Sequence, residues 1–258
     1  MSDMEEVTYH SQDFTFEDLA AEYELQYSGI PIQPIETNEV TKKGLETDWN
    51  HFYSNKKYAY QLRHYIYLEF LSFFNNPQVK VVSEVGCGHG STMFPLLSKL
   101  PHIQYIATDY SDVALNMLST LAAKEIESNR VVTSLWDIAT DPACTQFSDR
   151  CDLVLSIFVL SAIDPSQHVS SLRHLSSALR PGGRVLLRDY ALYDMTAFRH
   201  RRLAEHTFAR QDGTLCTYFS LESLSRAARD AGLLVEEASY ACVRNVNRKT
   251  GAVLKRYV

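Results

Sequence analysis

The chain has 258 residues, 45% hydrophobic and 22% charged, with 25 Lys and Arg against 31 Asp and Glu for a net charge of −6. That length and balance suit one well-buried domain with a small appendage and exclude wholesale disorder. The acidic opening MSDMEEVTYH predicts neither a secretory nor a transit leader, and no apolar run approaches the roughly 20 residues that span a bilayer.

Residues 1–40 lack periodicity and are expected to form a flexible arm. Residues 41–75, rich in aromatics from Thr47 to Phe74, are expected to be helical, and 76–258 to form the main domain. From Val79 strands and helices alternate. VKVVSEVG predicts a first strand, STMFPLLSKL a helix and QYIATDY a second strand. SDVALNMLSTLAAK predicts a helix capped by Ser111, with Ala114, Met117, Leu118 and Leu121 on one face. RVVTSLWD is a third strand and CDLVLSIFVLSAI a fourth, apolar throughout as a strand buried on both faces should be. The helix SQHVSSLRHLSSAL ends at a Pro-Gly-Gly turn before the fifth strand, RVLLRDYA. This alternation predicts a doubly wound α/β sheet. A hairpin around Asp212-Gly213 follows, then the amphipathic helix SLESLSRAARDAGL, then two strands too close in sequence for a crossover and therefore antiparallel.

Charge is unevenly spread. Residues 180–258 hold 14 basic and 8 acidic residues and the first 179 hold 11 and 23, so on charge alone the C-terminal third either meets an anion or is one of two differently charged solvated faces. The cysteines Cys87, Cys144, Cys151, Cys216 and Cys242 are odd in number and contain no CxxC, which points to reduced thiols in the cytosol or nucleus. Neither they nor the nine histidines carry a metal-binding spacing.

The stretch EVGCGHGST (84–92) places glycines at every second position between a strand and a helix, so a ligand can lie against bare backbone. No lysine follows, which excludes a P-loop. The pattern Glu84-x-Gly86-x-Gly88-x-Gly90 also differs from the dinucleotide fingerprint, and Glu84 can accept from the amino group of S-adenosylmethionine (SAM). Asp109, ending the second strand, suits ribose hydroxyls; Asp137, ending the third, suits the adenine amine, with Ile138 on the ring. Tyr110, next to Asp109, and Ile157, on the fourth strand, belong to the same expected cofactor site. Each acid taken singly reads more readily as a helix cap or a solvated strand end. Together with the glycine loop and the antiparallel closing strands they predict a class I SAM-dependent methyltransferase fold: a Rossmann-like, seven-stranded, mostly parallel sheet with an antiparallel last strand.

The segments IFVLSAIDP (157–165), RPGGRVLLRDYALYD (180–194), RQDGTLCTYF (210–219) and RNVNRK (244–249) resemble the tRNA 3-methylcytidine methyltransferases, a methyltransferase-like family, and DWNHFY (48–53) resembles its W-x-x-F-Y motif. The likeness runs in order from Asp48 to Val258. Where members carry K-D-R-x-W, this chain has YQLRHY, keeping Arg63 but placing Tyr65 at the tryptophan. The resemblance implies SAM as cofactor, with Trp49, Tyr53 and Arg63 among its contacts. It also implies methylation of cytidine 32 in the anticodon loop of serine, threonine or arginine tRNAs, and a protein partner such as seryl-tRNA synthetase or another tRNA-binding protein.

Cytosine N3 has an in-plane lone pair and is unprotonated at neutral pH, so transfer needs alignment and exclusion of water rather than a base. The product ring is cationic, which makes Asp189 the expected charge-stabilising carboxylate, Tyr190 the surface for a flipped base and Arg188 a contact to base or backbone. Arg188-Asp189 also reads as a simple strand-end ion pair. Arg199, Arg201, Arg202, Arg210, Arg244, Arg248 and Lys249 are expected to meet phosphates. Phe158 lines the transfer channel or packs the core. A methyltransferase of a small molecule or protein, or an inactive scaffold subunit of an RNA-modifying complex, are the competing readings.

Overall fold

The structure, a computed structural model, describes residues 10–34, 49–55, 61–141, 147–246 and 253–257. Five strands, β1 (Val81–Val85), β2 (Gln104–Asp109), β3 (Val131–Leu135), β4 (Cys151–Ile157) and β5 (Leu179–Arg188), form one parallel sheet in the order β3-β2-β1-β4-β5. The sequence order reverses direction between β1 and β4. In such a sheet ligands bind beyond the carboxyl ends of the strands at that point.

Alternation along the strands builds two cores. Val82, Tyr105, Leu153, Leu155 and Leu186 face one side with α2 (Tyr65–Glu69), α3 (Leu71–Phe74), α4 (Met93–Lys99) and α5 (Asp112–Leu121). Val85, Ile106 and Val154 face the other, against α7 (His168–Ser177) and α8 (Leu221–Asp230); the short α6 (Ala123–Glu127) follows α5. Ser111 accepts from the Ala114 N–H at 3.1 Å as expected, and Ser220 and Ser223 form a capping box on α8. On α5 the buried face is Ala114, Leu115 and Leu118, while Leu121 is exposed, so the expected stripe is rotated. β4 is shorter than its apolar run: it ends at Ile157 because Phe158 turns to φ +60°. Residues 181–183, Pro-Gly-Gly, make a register shift at the start of β5 between the Cys151–Leu179 and Leu153–Arg184 pairs.

Three expectations change. Among the described residues the parallel sheet has five strands rather than seven. β9 (Cys242–Val246) and β10 (Val253–Tyr257) are antiparallel as expected but pair with each other in a separate sheet. The chain over 233–240 passes the β5 edge through an Arg184–Glu236 side-chain contact of 2.8 Å, where adjacent Glu236 and Glu237 interrupt the strand alternation. The arm expected to be flexible is docked over residues 10–34: α1 (Phe16–Ser28) buries Leu19 and Tyr27, and Phe16 stacks on Tyr240 at 3.9 Å. Its support is a small antiparallel sheet, β6 (Arg201–Arg202), β7 (Thr207–Ala209) and β8 (Leu215–Thr217), whose β7–β8 hairpin turns at Asp212-Gly213. Among the described residues the aromatic-rich segment is helical over 49–54, 65–69 and 71–74.

Candidate active site

A cleft enclosing about 1210 Å³, open mouth included, lies at the carboxyl ends of the strands. Gly86 and Gly88 form its floor with φ of +62° and +54°. A methyl group on Gly86 would stand 2.5 Å from Val159 Cγ2, and one on Gly88 2.5 Å from the Tyr53 hydroxyl. Both positions therefore need glycine for backbone conformation and for space. Gly90 belongs to the loop at φ +93° but faces Phe94 and Met93 instead of the cleft.

Asp109 lines the cleft and organises the loop: Oδ2 accepts from the Gly88 N–H at 2.8 Å and Oδ1 from the Ser111 N–H at 2.9 Å. Burial pushes its pKa up to about 6, against these donors and the Tyr110 N–H. A carboxylate has about four acceptor sites, so three N–H donors leave capacity for a ligand. Asp137 accepts from the Ala139 N–H at 2.9 Å and the Thr140 hydroxyl at 2.7 Å, beside a buried Ile138. Tyr110, Ile157, Trp49, Tyr53 and Arg63 also line the cleft. Trp49, Phe52 and Tyr53 pack around Ala114 of α5, and Asn50 accepts from the Ser111 hydroxyl at 2.5 Å. The wall over 49–53 is thus fastened to the helix that follows Asp109.

Glu84 is elsewhere. It shares its strand face with Val82, so its carboxylate points into the core and accepts from the Tyr105 hydroxyl at 2.8 Å. Burial raises its pKa to about 7. It supports the loop from below and does not line the cleft. The same parity keeps Arg188 out of the cleft lining. It follows Leu186 on the α2 side, pairs with Glu69 there and sits 4.9 Å over the Tyr65 ring. The ion pair that Arg188 makes is with Glu69, not the strand-end pair with Asp189 that the competing reading of the sequence expects. Asp189 is buried just outside the cleft lining, and its oxygens accept the Ser161 and Tyr190 N–H groups at 2.9 Å each. Burial raises its pKa to about 6.

The cleft is also lined by Phe158, Val159, Ala162, Ile163, Tyr190 and Arg210. Arg63 lies 5.1 Å over the Phe158 ring, Phe158 is 4.8 Å from Tyr190, and Arg210 lies 5.2 Å over Tyr190. These four side chains form a file across the cleft, a juxtaposition that no spacing along the chain reveals. Trp136 also lines the site; an aromatic directly before Asp137 is its only signal in the sequence. Of the expected phosphate contacts, Arg199, Arg201 and Arg244 are exposed. Arg202 is buried and donates to the carbonyls of Tyr27, Ile30, Ala204 and Glu205, so it fastens α1 rather than a phosphate. Arg248 and Lys249 lie outside the described residues. Among the described residues no cluster of three or more His, Cys, Asp or Glu could hold a metal, and no helix is long and apolar enough to cross a membrane.

A bare glycine floor, carboxylates at the ends of β2 and beyond β3, and apolar walls fit SAM. With the five-stranded parallel order they define a class I SAM-dependent methyltransferase. The solved N1-methyltransferase of 1,6-didemethyltoxoflavin from Burkholderia thailandensis, with S-adenosylhomocysteine bound, has the same fold: TM-score 0.56, 19% identity, covering 88% of this chain and 94% of that one. The methyltransferase-domain family model matches residues 55–238. The tRNA N(3)-methylcytidine methyltransferase trm141 of Schizosaccharomyces pombe is 31% identical over 228 residues, covering 84% of this chain and 91% of that protein. Human tRNA N(3)-cytidine methyltransferase METTL6 is 30% identical over 220 residues, 82% of this chain and 77% of that protein. The chain belongs to the tRNA N(3)-cytidine methyltransferase family.

Proposed function

We infer that the chain methylates N3 of cytidine 32 in the anticodon loop of a serine, threonine or arginine tRNA, with SAM as donor. The supporting observation is one cleft lined by a glycine floor, two carboxylates and aromatic and cationic side chains, in a chain of this family. Bound SAM supplies an electrophilic methyl group on a sulfonium. Asp109 would hold the ribose hydroxyls through its remaining acceptor capacity, Asp137 and Ile138 the adenine, and Arg63 the methionyl carboxylate. Tyr190 offers a ring face to a base flipped out of the loop, since a target ring must leave its stack to be reached. The lone pair of N3 needs no base to free it, so the walls act by alignment and by excluding water. Asp189 is a positioning residue: it fixes the backbone of Tyr190 and puts negative field near a ring that becomes cationic.

The exposed Arg199, Arg201 and Arg244 supply phosphate contacts, and a tRNA-binding partner such as seryl-tRNA synthetase supplies the rest of the tRNA grip for a chain that is acidic as a whole. A tRNA substrate suits the cytosol or nucleus. The test is labelled SAM and bulk tRNA with purified protein, with and without cell extract, followed by nucleoside analysis. 3-Methylcytidine is expected, with Asp189→Ala abolishing it; its appearance only with extract assigns the partner. SAM binding without this nucleoside in either reaction overturns the substrate. Transfer that survives ribonuclease treatment of the substrate mixture points to a small-molecule or protein acceptor.

A further inference from the structure

Arg210 differs from the other described arginines expected at phosphates. It is half-buried on the cleft wall, where Arg199, Arg201 and Arg244 are exposed. Its guanidinium lies over the Tyr190 ring at 5.2 Å, and Nη2 donates to Cys216 Sγ at 3.3 Å, a weak acceptor. The Tyr190 ring is itself fixed, by Phe158 at 4.8 Å on one side and Tyr218 at 5.9 Å on another, and by the Asp189 carboxylate on its backbone N–H. Phe158 holds its place at φ +60°, a strained conformation for a bulky residue, and its N–H is tied to the Arg188 carbonyl at 2.7 Å. Strain of that kind persists where a side chain must be aimed.

We propose that Arg210 reads the acceptor ring itself, donating to a carbonyl on the edge of the base that lies against Tyr190, and is not a backbone-phosphate contact. The inference rests on the reading of the chain as a tRNA cytidine methyltransferase. A guanidinium is a planar fork of donors with no acceptor, so it matches the carbonyl beside the target nitrogen and not the exocyclic amine on the other side. Stacked on an aromatic face, it is pre-organised and loses little rotamer freedom on making that bond. Its benefit is alignment of the ring, because a cation beside the carbonyl by itself opposes the positive charge that develops there; the buried Asp189 carboxylate, whose titration Arg210 lowers, offsets that repulsion.

The two roles leave different signatures. A phosphate contact contributes about one unit to the slope of log affinity against log salt and nothing specific to the chemical step. A base contact on the cleft wall governs the rate at saturation. Single-turnover methylation of tRNA should be measured across a salt series for wild type, Arg210→Met and Arg201→Met. Arg210→Met is expected to slow the saturated rate about 10- to 100-fold, the loss of one hydrogen bond to a charged donor, with the salt slope unchanged. Arg201→Met is expected to reduce the slope by about one. Arg210→Lys, which keeps charge but not the fork, should recover only part of the rate. Unchanged saturated rate with a reduced slope in Arg210→Met assigns it to phosphate and overturns the proposal. So does loss of SAM binding by calorimetry in that variant, which would make the residue a support of the fold. If the wild type itself makes no 3-methylcytidine, the underlying reading fails first, and the base-reading role falls with it.

Discussion

Gly88→Ala tests the joint between the glycine floor and the aromatic wall. The added methyl meets two separate obstacles. The backbone at φ +54° costs a non-glycine residue about 1–2 kcal/mol wherever its neighbours stand. The methyl would also lie 2.5 Å from the Tyr53 hydroxyl, well inside contact distance. Forcing such an overlap in a packed site costs about 1–3 kcal/mol. Tyr53 is only 6% exposed and packs with Phe52 and Trp49 on α5, so yielding means loosening the wall that lines the cleft. The first cost should appear as lower thermal stability. The second should appear as a SAM dissociation constant raised about 5- to 150-fold, because the wall must be in place around the ligand.

The structure separates the two with one further change. After the hydroxyl, the nearest atom to that methyl is Tyr53 Cζ at 3.4 Å, an ordinary contact. Tyr53→Phe should therefore relieve the overlap and leave the backbone strain untouched. In a double-mutant cycle by calorimetry, Gly88→Ala should harm SAM binding far less in the Tyr53→Phe background, with a coupling of about 1–3 kcal/mol, while melting temperature shows no such rescue. Additive effects, agreeing within about 0.5 kcal/mol, would refute the contact between floor and wall.

Glu84, Asp109 and Asp189 are raised by burial to about 7, 6 and 6, so the folded chain holds protons that unfolded carboxyls release near pH 4. These groups therefore add stability as pH falls from about 7 toward 4 and withdraw it as pH rises. For Asp109 the cofactor runs the other way, since accepting from the ribose favours the carboxylate. Relative to Asp109→Asn, the wild type should gain melting temperature between about pH 7 and pH 5 while losing its advantage in SAM affinity, and parallel trends would contradict the assignment. Arg202→Met should cost about 2–4 kcal/mol by stranding the carbonyls of Tyr27 and Ile30, against at most about 0.5 for Arg201→Met; equal melting temperatures would sink the clasp. Glu69→Gln should destabilise by about 3–5 kcal/mol by removing the negative charge that pairs with buried Arg188, and adding Arg188→Met should restore part of it. Additive losses in denaturant titrations would show that the two charges are not coupled.

The parts of the site readable in sequence are those set by position along a strand. Asp109 ends β2, Asp137 follows the end of β3, and the glycines follow β1, so the boundary between strand and loop already places them at one edge of the sheet. Facing is a finer property. Glu84 and Arg188 each stand two positions beyond an inward apolar residue, Val82 and Leu186, and alternation sends both into the helix-covered core. That parity is present in VVSEV and VLLR, but a motif that names residue types carries no face. α1 is illegible for another reason. Its acceptors for Arg202 come from Tyr27 and Ile30, 175 and 172 residues away, and nothing local in FEDLAAEYELQYS specifies a partner at that separation.

Arginine shows where composition stops and geometry takes over. Arg201 and Arg202 are adjacent and chemically identical, yet in a strand neighbours point to opposite faces, so one is exposed and the other buried under α1. Arg210, just past the end of β7, has a third fate on the cleft wall over Tyr190. The excess of basic residues after position 180 reads in the sequence as a single electrostatic surface. Among the described residues it is divided instead among a fastening for α1, a partner for Glu69, a cation over Tyr190 and the exposed arginines, of which Arg180, Arg184 and Arg226 pair with Asp152, Glu236 and Glu222. The exposed set supplies the chain's phosphate contacts on the proposed function. On the proposed function, the salt-sensitive part of tRNA affinity then falls largely to a second protein, and the chain's own contribution concentrates on the ring it modifies.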